Sequence, residues 1–356
     1  MKILMLVNWK VEHCNQKPLN QQPPNYYIKD EPYWFYRYFQ NIPQVHVVDM
    51  HSFEWLEKFE QNKVRFYIWQ TLKVLPKLNQ YDLIISHGMQ SGLVLSAWRR
   101  LFKTKPKHIV FEIGSFNSAA EQGIALKLMQ FASKSIDGLI YHTRSQINYY
   151  RKYFPWLVEK SQFIKFGTDL EFFDLDNEKD TSDKNQYVIC VGYTKRDWDT
   201  VVEAYQKIET NVRLRLVGHV EKKYNNITCV EQIPYLPIRE LVTQILNAKF
   251  CILPLEAYNF SYGQMTLMQQ MALGKAVIAA NVPSLVDYIK NGETALLYKP
   301  KDIGDLSSKI QLLLEDDVLC EQLGVSGRKY LQEYCNEVLM AKEIEQFIDN
   351  IENKEV

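Results

Sequence analysis

No two cysteines in this chain are spaced as Cys-x-x-Cys. The six thiols, Cys14, Cys190, Cys229, Cys251, Cys320 and Cys335, are scattered over 356 residues. That pattern argues against a zinc site or a disulfide frame and fits reduced thiols in a cytoplasmic protein. Cys190 and Cys251 fall inside apolar runs and read as small core residues. Long hydrophobic runs are lacking as well: none spans a bilayer, and the run that starts at Met1 turns polar at Asn8, too early for a signal peptide. Low-complexity segments, short repeats and recognised nucleic-acid motifs are missing, so no nucleic acid partner is expected. Net charge is missing too, because 42 Lys and Arg balance 42 Asp and Glu. The balance hides an asymmetry. Met1 to Lys165 holds 22 basic and 12 acidic residues, and Phe166 to Val356 holds 20 and 30. A basic first half calls for an anionic partner there.

What is present is an alternation of short apolar runs with helical stretches. The length exceeds what one core usually organises, so two domains are expected. In the first half, strands are expected over Lys2–Asn8, Val45–Met50, Asp82–Ser86, His108–Glu112 and Gly138–His142. Helices are expected over Tyr33–Asn41, Phe53–Leu78, Ser91–Phe102 and Ala119–Ser133. The alternation pauses at Phe166-Gly167-Thr168-Asp169 and a polar stretch, Asp174–Lys184, that reads as a linker. It restarts with strands at Tyr187–Val191, Arg213–Val217, Thr228–Val230, Phe250–Leu253 and Ala276–Ala279, and helices at Trp198–Ile208, Ile238–Ala248 and Met265–Leu273. Asp302–Asn353 is helical, with Leu306, Ile310, Leu313 and Leu314 at helical spacing. Such alternation implies parallel sheets with helices on both faces, in two successive doubly wound units: residues 1–165, residues 166–335, and a C-terminal helix over 336–356 that packs back on the first.

Two stretches of the second half suit phosphate chemistry. From Leu253 to Tyr298 the order is strand, Ser-Tyr-Gly-Gln turn, helix, Gly274, strand, Asn291-Gly292. This order places a helix N-terminus at the C-terminal edge of a parallel sheet, where free N–H groups and the helix dipole attract phosphate. Gly263, Gln264, Met265 and Thr266 are the candidate contacts, and an ordinary helix start with Ser261 as N-cap is the plainer alternative. Gly192, Lys195 and Arg196 form the other stretch, in which two cations after a strand-end glycine could neutralise a departing diphosphate; the alternative is a solvated turn.

Together these stretches resemble the retaining GT-B glycosyltransferases of the family-4 type, the glycosyl transferases group 1. Ile164-Lys165-Phe166-Gly167-Thr168-Asp169-Leu170-Glu171-Phe172-Phe173 is similar to that family's I-P-N-G-V-D-x-x-x-F segment. Val191-Gly192-Tyr193-Thr194-Lys195-Arg196 is similar to its diphosphate-binding turn, and Arg213-Leu214-Arg215-Leu216-Val217-Gly218 to the next strand end. Met271-Ala272-Leu273-Gly274-Lys275-Ala276-Val277-Ile278-Ala279 is close to M-A-x-G-x-P-V-I-A, and Asn291-Gly292 with Leu296-Leu297 resembles the N-G-x-x-G-x-L ending. The resemblance implies two Rossmann-like domains facing a cleft. It also implies hexosyl transfer from a nucleotide-sugar to a glycan or lipid-linked acceptor with retention, and no metal or other cofactor. Asp174-Leu175-Asp176 has Asp-x-Asp spacing but falls in the linker stretch.

The chain departs from the family at several positions. Where the family has Glu-x7-Glu, with the second acid on the donor ribose, this chain has Ser261 and Gln269; Gln269 keeps an amide oxygen for that bond but no charge. Where the family has a histidine at the end of its fourth strand, this chain reads Val110-Phe111-Glu112-Ile113-Gly114. Glu112 is the catalytic candidate there, with a structural carboxylate as the alternative, and His87 at the preceding strand end is the second candidate. A catalytically impaired nucleotide-sugar-binding subunit and a nucleotide-sugar 2-epimerase are the rival functions. Arg99, Arg100, Lys103, Lys105 and Lys107, interleaved with Trp98, Leu101 and Phe102, suit an anionic membrane surface or a solvated helix end, so the protein is expected in the cytoplasm, peripheral to the inner face of the membrane. Tyr26, Tyr27, Tyr33, Trp34, Phe35, Tyr36, Tyr38 and Phe39 could stack on an acceptor sugar or pack a helix.

Overall fold

Alternating short apolar runs and amphipathic stretches leave a chain few ways to bury both, and here they are buried as two parallel sheets flanked by helices. The structure, a computed structural model, describes residues 1–114, 116, 121–173, 186–218, 220–258 and 260–353. The linker stretch Asp174–Lys184 lies outside the described residues. Two compact units emerge. One comprises Met1–Lys165, Asn259–Ser261 and Val338–Val356, and the other Phe166–Tyr258 and Tyr262–Glu337.

In the first unit the strands are β1 (Lys2–Leu6), β2 (Glu12–Cys14), β3 (Tyr26–Ile28), β4 (Gln44–Val48), β5 (Leu83–His87), β6 (Lys107–Glu112), β7 (Gly138–Tyr141) and β8 (Ser161–Phe163). Its main sheet runs β4-β1-β5-β6-β7-β8, all pairs parallel, while β2 and β3 pair separately. From β1 the chain goes outward to β4 and then returns to lay β5 on the other side of β1. The sheet therefore reverses its winding between β1 and β5, where doubly wound folds open a crevice at the strand C-termini. The helices are α1 (Glu54–Phe59), α2 (Ile68–Val74), α3 (Met89–Leu101), α4 (Gly123–Ser133) and α5 (Gln146–Tyr153). Neither α5 nor β8 has a clear apolar period; α5 buries Tyr149 and Tyr150 instead.

The stretch Phe53–Leu78 is not the largely continuous helix its composition suggests. A wide turn over Glu60–Val64 ends on Arg65 with φ 61°, in the left-handed region. The buried Glu60 carboxylate then accepts the backbone N–H groups of Ile68 and Trp69, both at 2.8 Å. A side chain that supplies the acceptors for a new helix start ends the old helix. Tyr33–Asn41 likewise holds only a short 3-10 turn, Trp34–Tyr38.

In the second unit the strands are β9 (Tyr187–Val191), β10 (Arg213–Val217), β11 (Val230–Ile233), β12 (Cys251–Leu253), β13 (Val277–Ala280) and β14 (Leu296–Tyr298). They lie in the order β11-β10-β9-β12-β13-β14 and are all parallel. This sheet reverses between β9 and β12, where Ile189 pairs with Cys251 and Cys190 with Ile252. Its helices are α6 (Trp198–Tyr205), α7 (Ile238–Asn247), α8 (Gln264–Ala272), α9 (Ile303–Glu315) and α10 (Asp317–Tyr334). Aspartates begin three of them: Asp197, Asp302 and Asp316 each accept a backbone N–H of the first turn. The last helix, α11 (Glu337–Glu352), belongs from Val338 onward to the first unit, where Phe347 and Ile351 fill the space beside Gly138 at the start of β7.

Candidate functional site

Both groups of candidate residues stand at the C-terminal ends of the strands where the winding reverses. In the second unit β9 ends in Gly192 and leads into the Lys195-Arg196 turn, while β12 leads through a loop into α8. The two connections pair with each other: Asp197 donates its backbone N–H to the Pro254 carbonyl at 2.8 Å, and Arg196 bridges Leu255. Arg196 then crosses to the helix. Its Nε donates to the Val191 carbonyl (3.0 Å), Nη1 to the Thr194 carbonyl (3.2 Å) and the Tyr262 hydroxyl (2.7 Å), and Nη2 to Thr266 Oγ1 (3.2 Å). A guanidinium held by four bonds is fixed in place before any ligand arrives. Burial lowers its pKa and the neighbouring Tyr262 works the other way, yet an arginine so far above neutrality stays cationic.

Gly192 has φ 154°, and a side chain there would run into the Arg196 guanidinium. Glycine at that position is what admits the arginine. Lys195 itself takes φ 56°, a left-handed conformation that costs a residue with a side chain about 1 kcal/mol or more. Its ammonium sits 4.8 Å from the Tyr258 ring centroid and 4.9 Å from that of Tyr262. Partial burial lowers its pKa, opposed by Glu256.

Helix α8 begins after Gly263, the N-cap residue, with φ 81° and no side-chain cap; its first turn contains no acid. The N–H groups of Gln264, Met265 and Thr266 belong to that uncapped turn. Gln264 is buried, Met265 exposed, Thr266 and Gln269 half-buried. Ser261 is not the N-cap that the sequence suggests. Its hydroxyl instead donates to Gln146 Oε1 and bonds with Thr143 Oγ1, both at 3.1 Å, within the first unit. Tyr258 and Tyr262 go unmarked in the sequence reading, since no spacing distinguishes a ring that will flank a lysine from one that packs a loop.

In the first unit His87 ends β5 beside the winding reversal. Its Nδ1 lies 3.3 Å from Asn8 Oδ1, its ring stacks on Phe111 (5.3 Å, 22°), and Trp9 meets it edge-on at 4.5 Å. Burial, and secondarily His142, push its pKa down to about 3. The imidazole is neutral at any ordinary pH, so it offers hydrogen bonds and not a charge. His142, just past β7, donates Nδ1 to the Ile164 carbonyl at 2.7 Å and packs against Phe111 with ring centroids 4.4 Å apart, and burial lowers its pKa to about 4.

Glu112 is fully buried, and its Oε1 accepts the backbone N–H groups of Gly114 (2.5 Å) and Phe116 (3.1 Å). Register pairs His87 with Phe111, so Glu112, one residue on, faces the opposite side of the sheet. The structure therefore does not bring the two catalytic candidates together. Among the aromatics, Tyr26, Tyr33, Trp34, Phe35, Tyr36 and Phe39 are buried packing residues, with Tyr27 and Tyr38 half-buried. Trp9 and Asn8, which the sequence alone does not single out as site residues, are the half-buried groups that flank His87. Among the described residues no cluster of three His, Cys, Asp or Glu could hold a metal ion.

The basic stretch at the end of α3 needs one correction. The Arg99 side chain is only 9% exposed, paired with Asp137 at 2.8 Å and donating to Thr104 Oγ1 at 2.7 Å and to the Pro106 carbonyl. It ties the α3 end to the start of β7 and presents no charge to a membrane. Lys107 is half-buried at the start of β6, whereas Arg100, Lys103 and Lys105 are exposed.

Comparison with known proteins fits this geometry. Residues 172–330 match the family model described as Glycosyl transferases group 1. The chain is 24% identical over 201 residues to the capsular polysaccharide biosynthesis glycosyltransferase CapM of Staphylococcus aureus, covering 50% of this chain and 51% of that one. It is 27% identical over 215 residues to the N,N'-diacetylbacillosaminyl-diphospho-undecaprenol alpha-1,3-N-acetylgalactosaminyltransferase of Campylobacter jejuni, covering 57% and 52%. The matches thus span about half the length of these relatives. Among solved structures, sucrose-phosphate synthase from Thermosynechococcus elongatus superposes with a TM-score of 0.70 at 19% identity over 99% of this chain and 100% of that one. Anabaena HepE in complex with UDP and glucose does so with 0.68 at 13% over 98% and 100%. The fold is that of the GT-B glycosyltransferases.

Proposed function

We propose that this chain is a glycosyltransferase that moves a sugar, of the hexosyl type, from a nucleotide-sugar to a glycan or lipid-linked acceptor with retention of configuration. The observation that carries the reading is the Arg196 guanidinium bonded to Thr266 and Tyr262, which joins the cationic turn after β9 to the uncapped start of α8. In this reading the diphosphate takes hydrogen bonds from the first N–H groups of α8, with Lys195 and Arg196 beside it. As the glycosidic bond to the donor breaks, negative charge grows on the leaving phosphate, and fixed cations and amide dipoles stabilise that state more than the bound donor. The acceptor hydroxyl attacks from the face the diphosphate leaves, and a diphosphate oxygen takes its proton. Gln269 would accept a donor ribose hydroxyl. His87, neutral and held by Asn8, would hydrogen-bond sugar hydroxyls. A lipid-linked acceptor would bring the protein to an anionic membrane surface through Arg100, Lys103 and Lys105; among the described residues no helix is long and apolar enough to cross a membrane.

One observation favours a second reading, a nucleotide-sugar-binding subunit without turnover: His87 has no charge to give, and Glu112 commits Oε1 to two amides. Assay of the purified chain against a panel of nucleotide-sugars with glycan and polyprenyl-linked acceptors separates the readings. Transfer that depends on Arg196 supports the enzyme. Nucleotide binding with neither transfer nor hydrolysis supports the subunit, and an epimerised free nucleotide-sugar overturns both.

A further inference from the structure

Helix α4 is apolar on the side it buries and apolar again on the side it exposes. Leu126, Met129 and Ala132 pack inward with Val110, Leu139 and Phe116, while Ile124, Leu128 and Phe131 are 78%, 49% and 41% exposed. Spaced at i, i+4 and i+7, these three form one outward stripe, with the exposed Lys127 on its flank. No Asp or Glu occurs between Gln122 and Ser135. Just beyond the helix, Ser135 donates its hydroxyl to the Ser96 carbonyl at 2.7 Å, so the end of α4 lies beside the part of α3 that leads into Trp98. There Trp98, Leu101 and Phe102 are also exposed, the Trp98 and Phe102 rings 4.2 Å apart, among the exposed Arg100, Lys103 and Lys105. The sequence from Leu83 to Phe111 has no acid either.

We propose that the outward stripe of α4 and the end of α3 together form a docking face for an anionic lipid bilayer. Aromatic and branched aliphatic side chains enter the boundary between headgroups and acyl chains, and the lysines and arginine meet lipid phosphates. The charge is of one sign across both segments, which complements a lipid surface and repels a second basic copy of the same face. The purpose of this face rests on the lipid-linked acceptor proposed above; its measurement does not involve transfer.

Sedimentation of the full chain with phosphatidylcholine vesicles containing about one third phosphatidylglycerol, and with phosphatidylcholine alone, tests the face. Binding is expected only to the anionic vesicles and is expected to weaken with salt. Leu128→Glu with Phe131→Glu lowers it by about tenfold or more, and Lys103→Glu with Lys105→Glu lowers it and flattens the salt dependence. Ile124→Glu, at the most exposed position of the stripe, is the variant to read if the double change disturbs folding, judged by circular dichroism. Transfer to a water-soluble acceptor should persist in all of them. Equal binding of wild type and α4 variants, failure of wild type to bind anionic vesicles, or a wild-type dimer in light scattering that the α4 changes dissociate would each overturn the proposal. Vesicle binding as expected with no transfer to any lipid-linked acceptor would leave the docking face standing and remove that acceptor.

Discussion

Lowering the pH from 7.5 to 5.5 should destabilise the first unit through histidines that the fold keeps neutral. His87 is held down to about 3 and His142 to about 4, and burial, with Arg99 adding to it, holds His108 well below the ordinary value. A histidine whose folded pKa is depressed binds fewer protons folded than unfolded. Stability is therefore full above the unfolded pKa of about 6.5 and is lost as pH falls from there toward the folded value. At pH 5.5 the unfolded imidazole is about nine-tenths protonated and the folded one is not, which costs about 1.3 kcal/mol per histidine relative to pH 7.5. His87 and His142 together cost about 2.6 kcal/mol, a large part of a domain's ordinary stability, and His108 adds in the same direction. His46, also depressed, adds in the same direction, and Glu343, whose carboxyl burial raises, works against it. Carboxylates held low, such as Asp49 and Asp305, contribute losses only at still lower pH and leave this window clear. The assay is urea unfolding at both pH values for the wild type and for His87→Gln. The variant lacks one titrating group, so its pH-dependent loss should be smaller by about 1.3 kcal/mol. Equal losses in the two proteins, or a His87 ring resonance that titrates near 6.5 in the folded protein, would refute the reasoning.

Four further outcomes follow from the same geometry. In the proposed reaction Arg196→Ala should lower kcat by about a hundredfold or more, since it removes a fixed donor proposed to meet the growing charge, and Arg196→Lys should recover little because one ammonium cannot reproduce the four bonds; steady-state transfer kinetics read both. Gly263→Ala, at φ 81° and against the Leu255 side chain, should lower stability by about 1 kcal/mol or more and raise the donor KM, read by thermal unfolding and donor titration. Gln269→Glu, if residue 269 meets the donor ribose as proposed, should lower the donor KM by about fivefold, worth roughly 1 kcal/mol of a charged over a neutral acceptor. Arg99→Ala should cost about 3 kcal/mol in unfolding by stranding Asp137 while leaving vesicle binding unchanged, whereas Lys103→Glu should do the reverse.

Legibility followed the physics of each feature. The strand Tyr187–Val191 forms where its apolar run places it, because a strand buried on both faces needs nothing but apolar side chains and short connections. The junction of Lys195-Arg196 with Gly263–Thr266 was legible because both follow strand ends, and strand ends on either side of a winding reversal must converge. What stayed hidden depended on contacts distant in sequence. Glu60 reads as one more charge on a long helix until its carboxylate is seen to start the next one. Arg99 reads as one of five surface cations until Asp137 closes on it, 38 residues away. Asn8 and Trp9 acquire meaning only once β5 is laid beside β1.

The departure at Ser261 and Gln269 has a structural counterpart that sharpens it. Aligned through Met271-Ala272, those two positions are where the glycosyltransferases this chain resembles keep acids. Here Ser261 turns away to Thr143 and Gln146, and Tyr262, the next residue, takes the bond to Arg196. A glutamate at the half-buried position 261 would replace the hydroxyl that bonds Thr143 and Gln146 and lose both bonds. In this fold, then, serine suits position 261, and the tyrosine beside it orients the guanidinium. At position 269, half-buried on α8, glutamate differs from glutamine by little in shape and its charge keeps access to water. The two missing acids thus have different causes. Ser261→Glu should destabilise the protein without improving donor binding, and Gln269→Glu should improve donor binding with little change in stability. Improvement from both changes, or from neither, would overturn the proposed role of the loop from Glu256 to Thr266 in holding the donor.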